Sequence, residues 1–181
     1  MGRFAGDNAP TRKTYLIGDL EWDAAELELV KSVHVQAEFD HDDDAVKKTV
    51  WLQGVADDPA SKGMPNAIVG FADLSMPDVE EVLSRHAENP NVRGIRHMLN
   101  YGDDPVLRSA DRDGLMSDDG WRRGCRLMDK CGTSLTCRSG LGRQMRPPGW
   151  AWRSLKFRSS STTPECRKTL TPRSRRSGEP L

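Results

Sequence analysis

The sequence predicts an α/β fold with a parallel sheet, either open or forming part of a (β/α)8 barrel. Three observations carry this expectation. Apolar runs alternate with helical patterns from Ser32 to Lys130, in the order strand, helix, strand, helix, strand, helix, which is repeated βα construction. Ala67–Ala72, Ala-Ile-Val-Gly-Phe-Ala, is almost continuously apolar, as suits a strand covered on both faces. Ser32–Ala37 instead splits by parity, with Val33, Val35 and Ala37 on one side and Ser32, His34 and Gln36 on the other. Side chains alternate faces along a strand. In a closed barrel the aliphatic face would meet the outer helices, and the imidazole and amide would point into the mouth.

The totals bound the answer. A chain of 181 residues is long enough for one domain with a sizeable core. The formal net charge is zero, but residues 1–132 carry 16 Lys+Arg against 25 Asp+Glu, whereas residues 133–181 carry 11 against 2. Such asymmetry marks a basic tail or two segments of different origin. No apolar run approaches the roughly 18 residues of a membrane span, and the first residues lack the apolar stretch of a signal peptide. The expected compartment is the cytoplasm. Cys125, Cys131, Cys137 and Cys166 form no Cys-x-x-Cys pair, so reduced thiols are expected rather than a zinc knuckle or redox couple.

Residues 1–13 are polar and read as a loose N-terminus, followed by a short helix within Asp19–Leu29 and the strand Ser32–Ala37. Asp40–Asp44 resembles the start of a calcium loop. Its sixth and twelfth places hold Ala45 and Trp51 rather than Gly and Glu, which excludes that reading. The acids instead begin a helix over Asp44–Ala56, with Val46, Val50, Trp51 and Val55 as its buried stripe. The strand Ala67–Ala72 follows. Pro77 and Asp78 open a helix whose stripe is Val79, Val82, Leu83 and His86. Asn89-Pro90-Asn91 ends it, and Val92–Met98 is the third strand. Ser117-Asp118-Asp119 caps a last helix lined by Trp121, Cys125 and Met128, with Gly132 as the residue after its end.

Three segments in order, Val33-His34-Val35-Gln36-Ala37-Glu38, Gly70-Phe71-Ala72-Asp73-Leu74 and Asn89-Pro90-Asn91-Val92-Arg93-Gly94-Ile95-Arg96, resemble the amidohydrolase-related family. These are predicted metal-dependent hydrolases of TIM-barrel fold, with lactonases among them. The resemblance covers about Lys13–Gly132 and implies a partial barrel of about three βα units, its strands being the second to fourth of eight. It implies a small-molecule substrate, a lactone or related carbonyl compound. It makes His34 and Gln36 pocket residues, and Arg93 or Arg96 the holder of a carboxylate or lactone oxygen, since guanidinium matches carboxylate bidentately. The intact family enzyme would use a divalent metal such as zinc to polarise a carbonyl and activate water. The family's first-strand His-x-His is absent, as if the chain were truncated upstream of Met1. Its later His-Ala-Gly and last-strand Asp are absent too, so no metal-ligand set is assembled from these residues.

After Gly132 the composition turns to Arg, Ser, Thr and Pro. Residues 133–181 read as a disordered basic tail, and also as the product of a shifted reading frame: Leu155–Arg167 in the alternative frame can encode a strand ending in His-Ala-Gly. The rival to catalysis is a βα fragment whose tail binds nucleic acid or a partner. Scattered rather than striped charges count against nucleic acid.

Overall fold

The computed structural model describes residues 13–37, 43–102 and 108–138. It is an α/β structure around a four-stranded sheet. In chain order the elements are α1 (Ile17–Asp23), β1 (Val33–Val35), α2 (Lys47–Asp57), β2 (Ala67–Phe71), α3 (Val79–Ala87), β3 (Val92–Met98), α4 (Asp119–Cys131) and β4 (Ser134–Arg138). All neighbouring strands are parallel, and their spatial order is their sequence order, β1-β2-β3-β4.

The helices that follow β1, β2 and β3 pack on one face of this sheet. Ile68, Gly70 and Ile95 belong to that face. A Cβ on Gly70 would lie 3.1 Å from Thr49 Oγ1 on α2 and 2.9 Å from His86 Cε1 on α3, so the two helices meet over the one strand position without a side chain. Gly124 plays the same part for α4, where a Cβ would collide with the Leu74 carbonyl. Twelve buried residues, Trp121, Leu83, Ile95 and Met128 among them, make one core cluster under α3 and α4. Toward β1 the cluster shrinks to Leu52, Ile68 and Val92.

The opposite sheet face carries no helix among the described residues. Val33 and Val35 lie on it, in register with Ala67 and Val69, and are 61% and 40% exposed. This reverses the expected orientation of β1: the aliphatic side is the open one, and His34 turns toward α2. Alternation in sequence separates two faces but does not say which one a helix will cover.

Polar side chains secure the N-terminal rim. Asn66 Oδ1 accepts from the Ser32 amide at 2.9 Å, and the Asn66 amide returns a bond to the Ser32 carbonyl. Asn91 donates to the Pro65 carbonyl, while its own amide donates to Gln53 Oε1 of α2. At the start of α2, Asp44 pairs with Arg85 of α3, and that guanidinium holds the Asp44 carboxyl below its ordinary pKa.

Most of the expected elements form where the pattern places them. Val92–Met98 is β3, and α3 buries Val79, Leu83 and His86. Asp118 caps α4 by accepting from the Trp121 amide, and Gly132 closes it at φ 64°, a conformation that suits a residue without Cβ.

Four expectations differ. The first helix is earlier and shorter than Asp19–Leu29. In α2 the buried residues are Thr49, Leu52, Gln53 and Ala56, while Val50 and Trp51 are exposed. Of the expected stripe Val46 is buried and Val55 half-buried, and the polar Gln53 lies inside, where it accepts from the Asn91 amide. The boundary after Gly132 is crossed by β4, whose residues Gly94↔Ser134 through Met98↔Arg138 pair with β3. Ser134-Leu-Thr-Cys-Arg has one aliphatic side chain and forms a strand through edge pairing. Finally, Cys131 is disulfide-bonded and Cys125 is a free thiol, so not every thiol is reduced. The rest of the basic tail, with its nucleic-acid reading, lies outside the described residues, as do Asp40–Asp42.

Candidate functional site

The residues singled out by the sequence fall in three places. His34 and Gln36 line a cleft between β1, β2 and α2, together with Lys48, Thr49, Leu52 and Gly70. The cleft is small, with a cavity volume of about 10 Å³, roughly the room one water needs. Its floor is the Gly70 gap, and its wall is the first turn of α2. His34 Nε2 is buried here without a hydrogen-bond partner. Burial, and then the neighbouring Lys48 ammonium, push the His34 pKa down. Burial also lowers that of Lys48. A neutral imidazole with an unused nitrogen can accept one proton or one donor, so the cleft offers a weak base beside a partly desolvated amine.

Arg96 stands on the other face. Its neighbour in sequence, Ile95, is fully buried under the helices, so Arg96 projects onto the open side, in register with Phe71. There it donates to the Gln36 carbonyl at 3.0 Å, reaching across β2 to the end of β1. This bond uses one of five guanidinium N–H donors. The three candidates therefore meet at Gln36, whose backbone serves Arg96 while its side chain lines the cleft behind the sheet.

Arg93 does not join them. It sits at the opposite end of β3, exposed, and donates to the carbonyls of Pro90 and Val92 at 2.5 and 2.9 Å. Those bonds close the turn that precedes the strand, and they place Arg93 at the N-terminal rim.

Two histidines left without a site role prove central to packing. His86 is completely buried. Its Nε2 lies 2.9 Å from the Phe71 carbonyl, and Nδ1 is unpartnered beside Gly70. Burial lowers its pKa to about 4, against a smaller opposing effect of the Phe71 bond. His97, at the end of β3, accepts at Nδ1 from the Leu74 amide and Trp121 Nε1. Its Nε2 lies 3.9 Å from Asp73 Oδ1, and that oxygen also accepts from the Ser75 amide and hydroxyl. The sequence signal was the position of Asp73 and His97 just past or at two strand ends, where βα loops collect polar groups.

The divalent metal implied by resemblance finds no ligand set among the described residues: no three His, Cys, Asp or Glu side chains stand together. No helix among them is long and apolar enough to cross a membrane.

The chain is similar to the uncharacterized protein y4mH of Sinorhizobium fredii (strain NBRC 101917 / NGR234), with 39% identity over 129 residues. That stretch is 71% of this chain and 42% of the relative, so the chain spans less than half the relative's length. No family model matches the chain, and no solved structure does.

Proposed function

We propose that the four-stranded sheet is part of a (β/α)8 barrel, and that the barrel belongs to an amidohydrolase-like hydrolase acting on a lactone or related carbonyl compound. The observation that supports this reading is the strand order with its helices on one face. A doubly wound sheet reverses its strand order and carries helices on both sides. Here β1 to β4 run in sequence without reversal, which is the arrangement of consecutive barrel staves. A relative in which the matched residues are only 42% of the length has room for the remaining staves.

On this reading the open face is the barrel interior, and Arg96 is the residue that holds substrate. Its guanidinium lies toward the C-terminal ends of the strands, the end at which such barrels place their chemistry. It would hold a carboxylate or ring oxygen through two parallel N–H bonds. His34 and Gln36 side chains lie behind the wall and support the strand that Arg96 grips. Arg93 is left to the turn it closes.

The test is hydrolysis of carboxylated lactones, followed by proton release, for this chain and for the longer relative. Arg96→Ala in this chain should lower kcat/KM at least about tenfold, mainly through KM, with part recovered in Arg96→Lys. Turnover absent from both proteins, or indifferent to Arg96→Ala, overturns the reading.

A further inference from the structure

We propose that the floor of the His34 cleft holds one internal water, which bridges His34 Nε2 on β1 to His86 Nδ1 on α3 beside Gly70. Nothing in this depends on the hydrolase reading.

His86 fixes the need. Its Nε2 lies 2.9 Å from the Phe71 carbonyl. A carbonyl only accepts, so Nε2 carries the proton and, in the neutral ring, Nδ1 is left as a lone pair. Burial lowers the pKa of the ring to about 4, so it is neutral at ordinary pH. The residue is 0% exposed, and Nδ1 has no hydrogen-bond partner among the described residues. His34 Nε2 is in the same condition. Native interiors rarely leave such atoms unmet, and ordered water is the usual remedy where no protein group reaches them.

Both nitrogens belong to one small space. A Cβ at Gly70 would lie 3.0 Å from His86 Nδ1 and 3.1 Å from Thr49 Oγ1, so both atoms face β2 where it has no side chain. Gly70 and Thr49 in turn line the cleft with His34 and Lys48. His34 stands in register with Ile68, two residues before Gly70 and on the same sheet face. The cavity volume of about 10 Å³ suits one water and nothing larger.

Water also matches the chemistry of these atoms. It brings two protons and two lone pairs. One O–H donates to the His86 Nδ1 lone pair. At His34 Nε2 water serves either tautomer, donating to a lone pair or accepting from an N–H. The Thr49 hydroxyl and the Lys48 ammonium, which is near enough to His34 to help lower its pKa, are donors for a remaining lone pair. Three such bonds are the ordinary complement of a buried water. Held so, the molecule links β1, α2 and α3 over the one strand position that has no side chain.

Water-to-protein NOEs on the full chain test this. His86 Hε1, adjacent to Nδ1, should show a cross-peak with the sign of a long-lived water. In His34→Leu that cross-peak should be lost, because leucine removes one partner and keeps the room filled. Deuterium relaxation dispersion should count one fewer long-lived water in the variant than in the wild type. The edge-on contact of Phe71 with His97, 5.9 Å between ring centroids, reports that the variant is folded. An imidazole removed takes its own demand with it, so occupancy and not stability is the readout. A crystal structure of the wild type, which needs no variant, should place one water within hydrogen-bond distance of both nitrogens. A dry cavity in that crystal, a wild-type His86 Hε1 without the water cross-peak, or a cross-peak unchanged in folded His34→Leu overturns the proposal.

Discussion

Under α3 and α4, twelve buried residues join strands and helices into one apolar body around Trp121. At the β1 end the cluster among the described residues is Leu52, Ile68 and Val92. That end is held instead by amides: Ser32 to Asn66, Asn91 to Gln53, and Arg96 to the Gln36 carbonyl. It also leaves polar nitrogen unused, at His34 and near the centre at His86. One half of the sheet is built as a finished interior. The other relies more on directed bonds between polar groups.

The sharpest way to break this contrast is to truncate one large side chain in each half. Trp121→Ala should cost about 3–5 kcal/mol in urea unfolding, from lost burial and the cavity left behind. Trp22→Ala, at a position 82% exposed, should change the stability of the isolated chain by less than about 0.5 kcal/mol. Similar losses at both would erase the distinction.

A second test uses acid. His86 has a folded-state pKa of about 4, below the roughly 6.5 of an unfolded histidine. The unfolded chain therefore takes up this proton first as pH falls. Its contribution is fully present above about pH 6.5, declines through the interval down to about 4, and totals about 3 kcal/mol. Urea midpoints measured across that interval should fall, and His86→Leu should flatten the decline. An unchanged slope in the variant would remove His86 from the account.

The smallest expected effect sharpens the contrast from the other side. His34→Leu removes a buried nitrogen with no partner, so it should leave stability unchanged or raise it by up to about 1 kcal/mol. A loss above about 2 kcal/mol would mean that the cleft histidine carries structural weight comparable to a core residue.

The same division separates what the sequence disclosed from what it did not. The finished half was legible because its signals are local. Val79, Leu83 and His86 repeat at helical spacing, Asp118 and Gly132 bracket α4, and Val92–Met98 is a plain strand. The β1 half was misread where the outcome depends on neighbours. His34 and Val35 alternate clearly, but which of them faces α2 is set by packing. In α2 Val46 is buried as expected, but Val50 and Trp51 are exposed and Gln53 lies inside as the acceptor for an amide on another loop. β4 escaped notice because Ser134-Leu-Thr-Cys-Arg owes its form to the ladder with β3. Of the candidate site, Arg96 lies on the open face and Arg93 at the other end of the strand, a separation that became visible only once the ends of β3 were known.

The paired bonds between Ser32 and Asn66 have a consequence for the shortest strand. β1 has three residues, too few rungs to define their own alignment. A slip of one residue would exchange its faces, presenting His34 to the open face and Val35 to α2. Asn66, immediately before β2, thus acts as a ruler: it sets the zero from which every position of β1 is counted.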